Sequence, residues 1–273
     1  MKKLNYFQNK PKALEIDVET YLKRLGLEKE EPELKYLRKL HYAHIHKIPF
    51  ENLDIHYQRK VQLDYKKIFD KIVRKRRGGF CYELNGLFYH LLYHLGFECY
   101  VVSAQMKNES GAFDKPYGHM AIIVTMGKED YLIDVGFGNS FSYPKLIRTG
   151  VVQMDYTTYW RLEKDPDENF LLQYSSNASN FETKYLFHLD EKQIIQFMEM
   201  CEYHQTSEKS PFTQGKLITI KTEEGRVTLT DKKLKILSLS ETEELPILNE
   251  DEFLSKLEQY FGITYQQLSP IQK

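Results

Sequence analysis

Three side chains in this sequence have the types and settings for nucleophilic catalysis: Cys81, His119 and Asp134. Cys81 lies in the run Arg-Gly-Gly-Phe-Cys-Tyr-Glu-Leu-Asn at 77–85. Leu84, Leu87, Phe88, Leu91, Leu92 and Leu95 recur at helical spacing, so a helix is predicted to begin at the cysteine and stop at Gly96. A thiol in a first turn feels the positive end of the helix dipole and faces N–H groups that lack intrahelical partners. Both favour the thiolate, the nucleophilic form. Gly78 and Gly79 just ahead let the backbone come close and leave room for a substrate carbonyl. A nucleophile of this kind needs a base to take its proton and a third group to orient that base. His119 follows Gly118 at the mouth of the apolar run Met-Ala-Ile-Ile-Val, after a polar loop. Asp134 comes fifteen residues later, near the end of the next β-rich run, so two antiparallel strands could set the two side by side. The plainer reading stays open on spacing alone: Cys81 as a small core residue, His119 and Asp134 as a structural pair.

The remaining histidines point elsewhere. His41, His44 and His46 lie in or beside an amphipathic helix, with His41 or His44 on its apolar face. His90 and His94 are four apart, but no Glu stands in the metalloprotease position and no third ligand is identifiable, so no metal is expected. A net charge of −1 gives no electrostatic reason to expect nucleic acid as a partner. Three cysteines form no even framework, the first residues carry lysines without an apolar stretch, and no run approaches membrane-spanning length. A cytoplasmic protein without a membrane partner is the expectation.

The elements that must position the three residues follow the periodicity. With 273 residues the chain can bury a large core in one to three units. Asp17 can cap a helix ending at Gly26, Pro32 opens a second that Pro49 stops, and Asp64 precedes a third carrying Ile68, Phe69, Ile72 and Val73. The basic run Arg74-Lys75-Arg76-Arg77 that ends it suits a helix C-terminus and is expected to be mostly solvated. After Gly96 the period becomes two: 98–106, 118–126 and 130–135 read as strands, with a hairpin turn at 127–130 and a further hairpin around 165–168. Asp190 is placed to cap a helix burying Ile194, Ile195, Phe197, Met198 and Cys201. Strands return at 216–230 and 234–239, and a last helix starts at Asn249, with Glu252 completing a capping box, and ends at Gly262.

The combination of motifs resembles the arylamine N-acetyltransferases. Arg-Gly-Gly-Phe-Cys-Tyr-Glu-Leu-Asn, then Gly-His-Met with its histidine 38 residues after the cysteine, then Asp-Val-Gly-Phe-Gly, occur in the family's order. Pro-Phe-Glu-Asn-Leu at 49–53 precedes them. Phe80 stands where many relatives carry tryptophan, and the match weakens beyond residue 140. The resemblance implies an α+β fold: a helical bundle over 1–96 carrying the nucleophile, an antiparallel β-barrel over 97–205 carrying the histidine and aspartate, and an α/β lid over 206–273, around a papain-like Cys-His-Asp core. It implies a Cys81–His119–Asp134 triad with acetyl-CoA as donor. The acetyl group would rest on Cys81 and pass to an aromatic amine or hydrazine, with His119 moving the proton in both halves of a ping-pong reaction. It further implies that Gly136 and Gly138 present N–H groups to the coenzyme A pyrophosphate and that Phe50 and Phe137 line the acceptor pocket. Glu51 and Arg77 would form a partly buried pair bracing the loop before Cys81, and Asn85 would either hydrogen-bond that loop or sit exposed.

Two other readings share some of these residues. A papain-like or transglutaminase-like enzyme would use the same triad on a different acyl substrate, although the chain lacks the disulfides and pro-segment expected of a secreted protease of that kind. A non-catalytic binding module could keep the fold with a cysteine of ordinary reactivity.

Overall fold

The computed structural model describes residues 15–108 and 110–269, so most of the lysine-bearing N-terminal stretch lies outside the described residues. Helix α1 (Val18–Leu25) starts where the Asp17 carboxylate accepts the Thr20 N–H at 2.9 Å and stops at Gly26, which takes φ 65°. Helix α2 (Leu34–Lys47) ends before Pro49 and buries both His41 and His44, not one of them. Two short elements, β1 (Phe50–Glu51) and α3 (Leu53–His56), occupy a stretch that reads as loop. Helix α4 (Tyr65–Phe69) is capped by Asp64 and widens into a π-helical turn over Asp70–Arg74. Arg74, Lys75 and Arg76 are then exposed as expected, whereas Arg77 turns inward and is 1% exposed.

Helix α5 (Cys81–His94) is the axis of the helical part. Leu84, Leu87, Phe88, Leu91 and Leu92 are fully buried, each worth about 1.5–3 kcal/mol of apolar burial. Eight strands follow: β2 (Glu98–Met106), β3 (His119–Met126), β4 (Glu129–Ile133), β5 (Lys145–Leu146), β6 (Gln153–Asp155), β7 (Thr158–Lys164), β8 (Phe170–Ser175) and β9 (Glu182–Phe187). They form one antiparallel sheet in the order β5-β4-β3-β2-β9-β8-β7-β6. A parallel bridge from Thr149 to Leu162, with the Gly150 N–H donating to the Leu162 carbonyl at 3.0 Å, brings the β5 edge to β7 and nearly closes the barrel. Strand β3 is apolar on both faces because both are covered. Ala121 and Ile123 point into the barrel, while Met120, Ile122 and Val124 pack against the helices.

The tail starts with a 3₁₀ turn at Ile194–Phe197 and α6 (Met198–Thr206). The helix expected from Asp190 therefore begins later. A 3₁₀ turn has 3.0 residues per turn, and the change of phase leaves Ile195 63% and Met198 52% exposed while Phe197 and Cys201 stay buried. A second sheet then forms from β10 (Leu217–Lys221), β11 (Arg226–Thr230), β12 (Lys233–Leu237) and β13 (Thr242–Pro246). Its order is β1-β10-β11-β12-β13, so the strand just before α3 is stitched into the lid. Helix α7 (Glu250–Phe261) packs Phe253 and Leu257 into the same small core, and α8 (Tyr265–Leu268) adds Leu268. Asn249 caps α7 through the Glu252 N–H at 2.9 Å, but the Glu252 carboxylate reaches back to the Leu248 N–H instead of closing a capping box. No helix among the described residues is long and apolar enough to cross a membrane.

Candidate active site

Cys81 is the first residue of α5 and is 2% exposed. The loop that delivers it is pressed against other backbone. A Cβ on Gly78 would lie 2.1 Å from the Pro49 carbonyl oxygen, and one on Gly79 would lie 2.7 Å from the Glu83 carboxylate. The space left by the two glycines is thus filled by protein, not held open for a substrate carbonyl. The Glu51 N–H donates to the Gly79 carbonyl at 2.9 Å, tying the loop to β1.

Beneath the loop lies a buried cluster of charges. Arg77 donates to Glu51 at 2.7 and 3.0 Å and meets Asp54 at 2.8 Å. Lys71 meets Asp54 at 2.8 Å and Glu83 at 2.9 Å, and Arg59 stands 3.5 Å from Asp54. Three carboxylates and three cations therefore balance, as burial of charge demands. Burial, helped by Asp54 and Glu51, pushes Glu83 up to about 7 despite Lys71. Its Oε2 accepts the Phe80 N–H at 3.1 Å, which fixes the residue before the nucleophile. Glu51 and Arg77 are more deeply buried than expected, at 1% each.

His119 opens β3 and is 3% exposed. Pairing of Ile122 with Ile133 places Asp134, one residue past β4, within reach of it. The His119 Nε2 lies 2.8 Å from Asp134 Oδ2. The Cys81 side chain hydrogen-bonds the same imidazole. Burial opposes charge on His119, but Asp134 and Cys81 outweigh it and raise the imidazole to about 10. Burial likewise opposes the Asp134 carboxylate, and His119, Asn85 and Tyr185 together hold it below the usual range.

Asn85 is fully buried and serves a different segment from the one expected. Its Nδ2 donates to Asp134 Oδ1 at 2.8 Å and to the Met120 carbonyl at 2.5 Å, and its Oδ1 accepts the Val135 N–H at 2.9 Å. It holds the aspartate turn against α5, not the loop before Cys81. Gly136 is also buried, and its N–H donates to Asp134 Oδ1 at 3.1 Å. That N–H is unavailable to a pyrophosphate. Glycine is required there because a Cβ would stand 2.7 Å from the Cys81 Cα and 2.9 Å from its carbonyl oxygen. Gly138 is half-buried beside Phe50. Phe137 is half-buried with its ring 6.2 Å from that of His119, whereas Phe50 is 9% exposed and 6.0 Å from Phe212.

Several residues of the site carry no signal in the sequence. The Tyr185 hydroxyl, from β9, donates to Asp134 Oδ2 at 3.0 Å. His41 stacks on Phe141 and accepts the Asp134 N–H at 3.4 Å. His204 of α6 lies 3.2 Å from the Gly118 carbonyl, just before His119, and Phe212 packs between His204, Phe80 and Phe50. His90, the candidate half of a metal pair, is buried against the Tyr65 ring, and no group of three potential ligands occurs among the described residues.

The geometry can be set beside known proteins. A family model described as N-acetyltransferase matches residues 33–269. The human arylamine N-acetyltransferase 1 is 30% identical, over 92% of this chain and 95% of its own. The solved arylamine N-acetyltransferase of Mycobacterium marinum superposes with a TM-score of 0.86 at 27% identity, covering 93% of this chain and 95% of that one. The enzyme of Bacillus cereus, described as having a Cys-His-Glu catalytic triad, gives a TM-score of 0.84 at 28% identity over 92% of this chain and all of its own. With most of its length matched and the fold shared, this chain belongs to the arylamine N-acetyltransferase family and is an N-acetyltransferase.

Proposed function

We propose that the chain moves an acetyl group from acetyl-CoA to an aromatic amine or hydrazine by a ping-pong mechanism, with Cys81, His119 and Asp134 as its triad. The observation that carries the reading is the His119 imidazole, bonded through Nε2 to Asp134 at 2.8 Å and facing Cys81 at the start of α5. The family supports it, as does the Cys-His-Glu triad described for the Bacillus cereus relative, in which another carboxylic acid completes the set.

In the first half, the Cys81 sulfur attacks the thioester carbonyl. The carbon–sulfur bond to coenzyme A breaks, and the leaving thiolate takes a proton from the His119 imidazolium. In the second half, the amine nitrogen attacks the acetyl-cysteine carbonyl, Cys81 leaves as thiolate, and His119 takes the proton from nitrogen. The pair is then restored. The Glu83 N–H is taken by the Phe80 carbonyl at 3.0 Å, which leaves the Cys81 and Tyr82 N–H groups at the start of α5 to stabilise the oxyanion in both halves. Asp134 orients the imidazole through Nε2 and stabilises its charge. Burial of Cys81 keeps water from the acetyl-enzyme. Phe137, beside the imidazole, and Phe50 with Phe212 form the apolar wall for an aryl acceptor.

Intact-protein mass after brief exposure to acetyl-CoA tests the reading. One acetyl group should appear on the protein, be absent in Cys81→Ala, and be discharged by an aromatic amine. Peptide cleavage without any acetyl adduct would favour a hydrolase and overturn the transferase mechanism.

A further inference from the structure

Glu83 grips the residue before the nucleophile from both sides. Its N–H donates to the Phe80 carbonyl at 3.0 Å, and its Oε2 accepts the Phe80 N–H at 3.1 Å. Phe80 immediately precedes Cys81, so one side chain fixes both the end of the loop and the first turn of α5. Oε2 also lies against Gly79, where a Cβ would stand 2.7 Å from it, so carboxylate and loop must move together. The remaining contacts of the carboxylate are with Lys71, whose ammonium donates to Oε1 at 2.9 Å and to Oε2 at 3.1 Å. Both oxygens therefore act as acceptors, which suits a carboxylate and not a carboxylic acid. A proton on either oxygen meets a donor already in place, so at least one of these bonds must give way.

The surroundings make that proton available. Lys71 faces Glu83 from the π-helical turn, Glu51 from β1 and Asp54 from α3, with Arg77 and Arg59 behind them on Asp54. Tyr65 of α4 and Cys201 of α6 also face it, and burial keeps both neutral. Burial opposes the charges of Asp54, Lys71 and Arg77, but each is outweighed by its opposite partners, so all three stay charged. For Glu83 burial prevails, and the carboxyl is pushed up to about 7. Glu83, Lys71 and Asp54 line a groove of about 730 Å³ walled by Arg59, Lys66 and Arg74, which none of the proposed triad residues lines. That groove gives protons a route to the carboxyl apart from the substrate's.

We propose that Glu83 is a proton-sensitive positioning residue. Ionised, it clamps residues 79–80 and the start of α5 so that Cys81 is aligned with His119; protonated, it releases them and slows acyl transfer. The proposal rests on Cys81 being the nucleophile, as above.

Alkylation of Cys81 by iodoacetamide from pH 5.5 to 8.5, read by intact mass with Cys81→Ala as the blank, tests it without any acyl donor. The wild-type rate should pass through one step near pH 7, falling roughly threefold to tenfold to a lower plateau in acid, a loss in keeping with a modest misplacement of a reacting group. A free thiol would keep falling about tenfold per pH unit with no plateau. Glu83→Gln can accept the Phe80 N–H but carries no titrating proton, so its rate should show no step. Lys71→Met removes the cation that opposes protonation of Glu83, so its step should move to higher pH. A merely structural cluster would leave the position of the step unchanged. The rate at which acetyl-CoA acetylates the wild type should show the same step. A wild-type alkylation profile without a step near pH 7, a step retained in Glu83→Gln, or a step unmoved in Lys71→Met would each overturn the proposal. Should Glu83→Gln melt early, Lys71→Met and the wild-type profile still decide it. If the alkylation step is present but acetyl-CoA leaves no acetyl group on the protein, the donor reading falls and the role of Glu83 stands.

Discussion

Asp134 receives more hydrogen bonds than its two proposed triad partners: from His119, the Asn85 amide, the Tyr185 hydroxyl and the Gly136 N–H. A fully buried carboxylate is tolerable only when its lone pairs are used in this way. Tyr185→Phe removes one of the four and conserves volume, which should cost about 1.5–3 kcal/mol, the range for a hydrogen bond to a charged group. With one donor lost, the Asp134 carboxyl moves back toward its ordinary range, so the acid limb of the kcat/KM profile should shift upward. A profile identical to wild type would show that Tyr185 does not help hold the aspartate. At this scale the sequence brought out the three proposed triad residues, because a cysteine at a helix start and a histidine and aspartate at adjacent strand ends are visible locally, although only the family resemblance chose between a triad and a structural pair. Tyr185 was invisible because it lies 51 residues beyond Asp134 in a strand of ordinary pattern. Asn85 was noticed for the wrong partner, since a helical position one turn from Cys81 does not reveal which of two neighbouring loops its amide will reach.

Among the elements, α5 and the 134–140 turn form the joint on which the geometry of the proposed triad depends, and glycine decides how closely they meet. A Cβ at 136 would press on the backbone of α5, 2.7 Å from the Cys81 Cα, and a buried helix cannot move aside. One at 138 would make contacts of 3.4 Å and longer, ordinary van der Waals distances. Gly136→Ala should therefore destabilise the protein by about 1–3 kcal/mol, as overpacking does, and Gly138→Ala should stay within about 0.5 kcal/mol of wild type. Urea midpoints for the pair decide it, and equal midpoints would contradict the close approach. Helix α5, α1 with its Gly26 stop and the 127–130 hairpin were legible from periodicity and caps, since each is stabilised mainly by neighbours in sequence. Strand β1 was not, because a two-residue strand exists only through its partner: Phe50 pairs with Thr219, and no local pattern encodes that contact. The start of α6 failed for a related reason. Its apolar residues suit a continuous helix, but the chain is held at Lys192, which bridges to Val101 on β2, and enters α6 through a tighter turn.

For the whole molecule, buried histidines set how stability depends on pH, and they pull in two directions. Burial lowers His41, His90 and His204 to about 4, and burial with His41 and Arg24 nearby pushes His44 further down. In the unfolded chain each regains a value near 6.5. Between pH 6.5 and about 4 the unfolded state thus binds more protons than the folded one, and stability rises with pH across that window. Each such group contributes up to about 1.4 kcal/mol per pH unit, so four together contribute at most between about 5 and 6 kcal/mol per unit, comparable with the lower end of a typical domain's whole stability. His119 has the opposite sign. Its folded value is raised to about 10, so its contribution is complete below pH 6.5 and is lost as pH climbs from there to about 10. Asp134, held low, supports the fold above its ordinary value near 3.8 and fails only in stronger acid. Glu83, raised to about 7, partly offsets the histidines, because it adds stability as pH falls from there toward its ordinary carboxyl value, and the acid side stays steeper than the alkaline one. Urea midpoints measured from pH 4.5 to 9.5 should show that asymmetry. His90→Gln, which removes a titrating group whose Nδ1 has no hydrogen-bond partner among the described residues, should make the acid limb shallower without altering the alkaline limb. An acid limb no steeper than the alkaline one, or a slope untouched by His90→Gln, would mean that these histidines accept protons inside the folded protein and that the helical core admits water where it is drawn as closed.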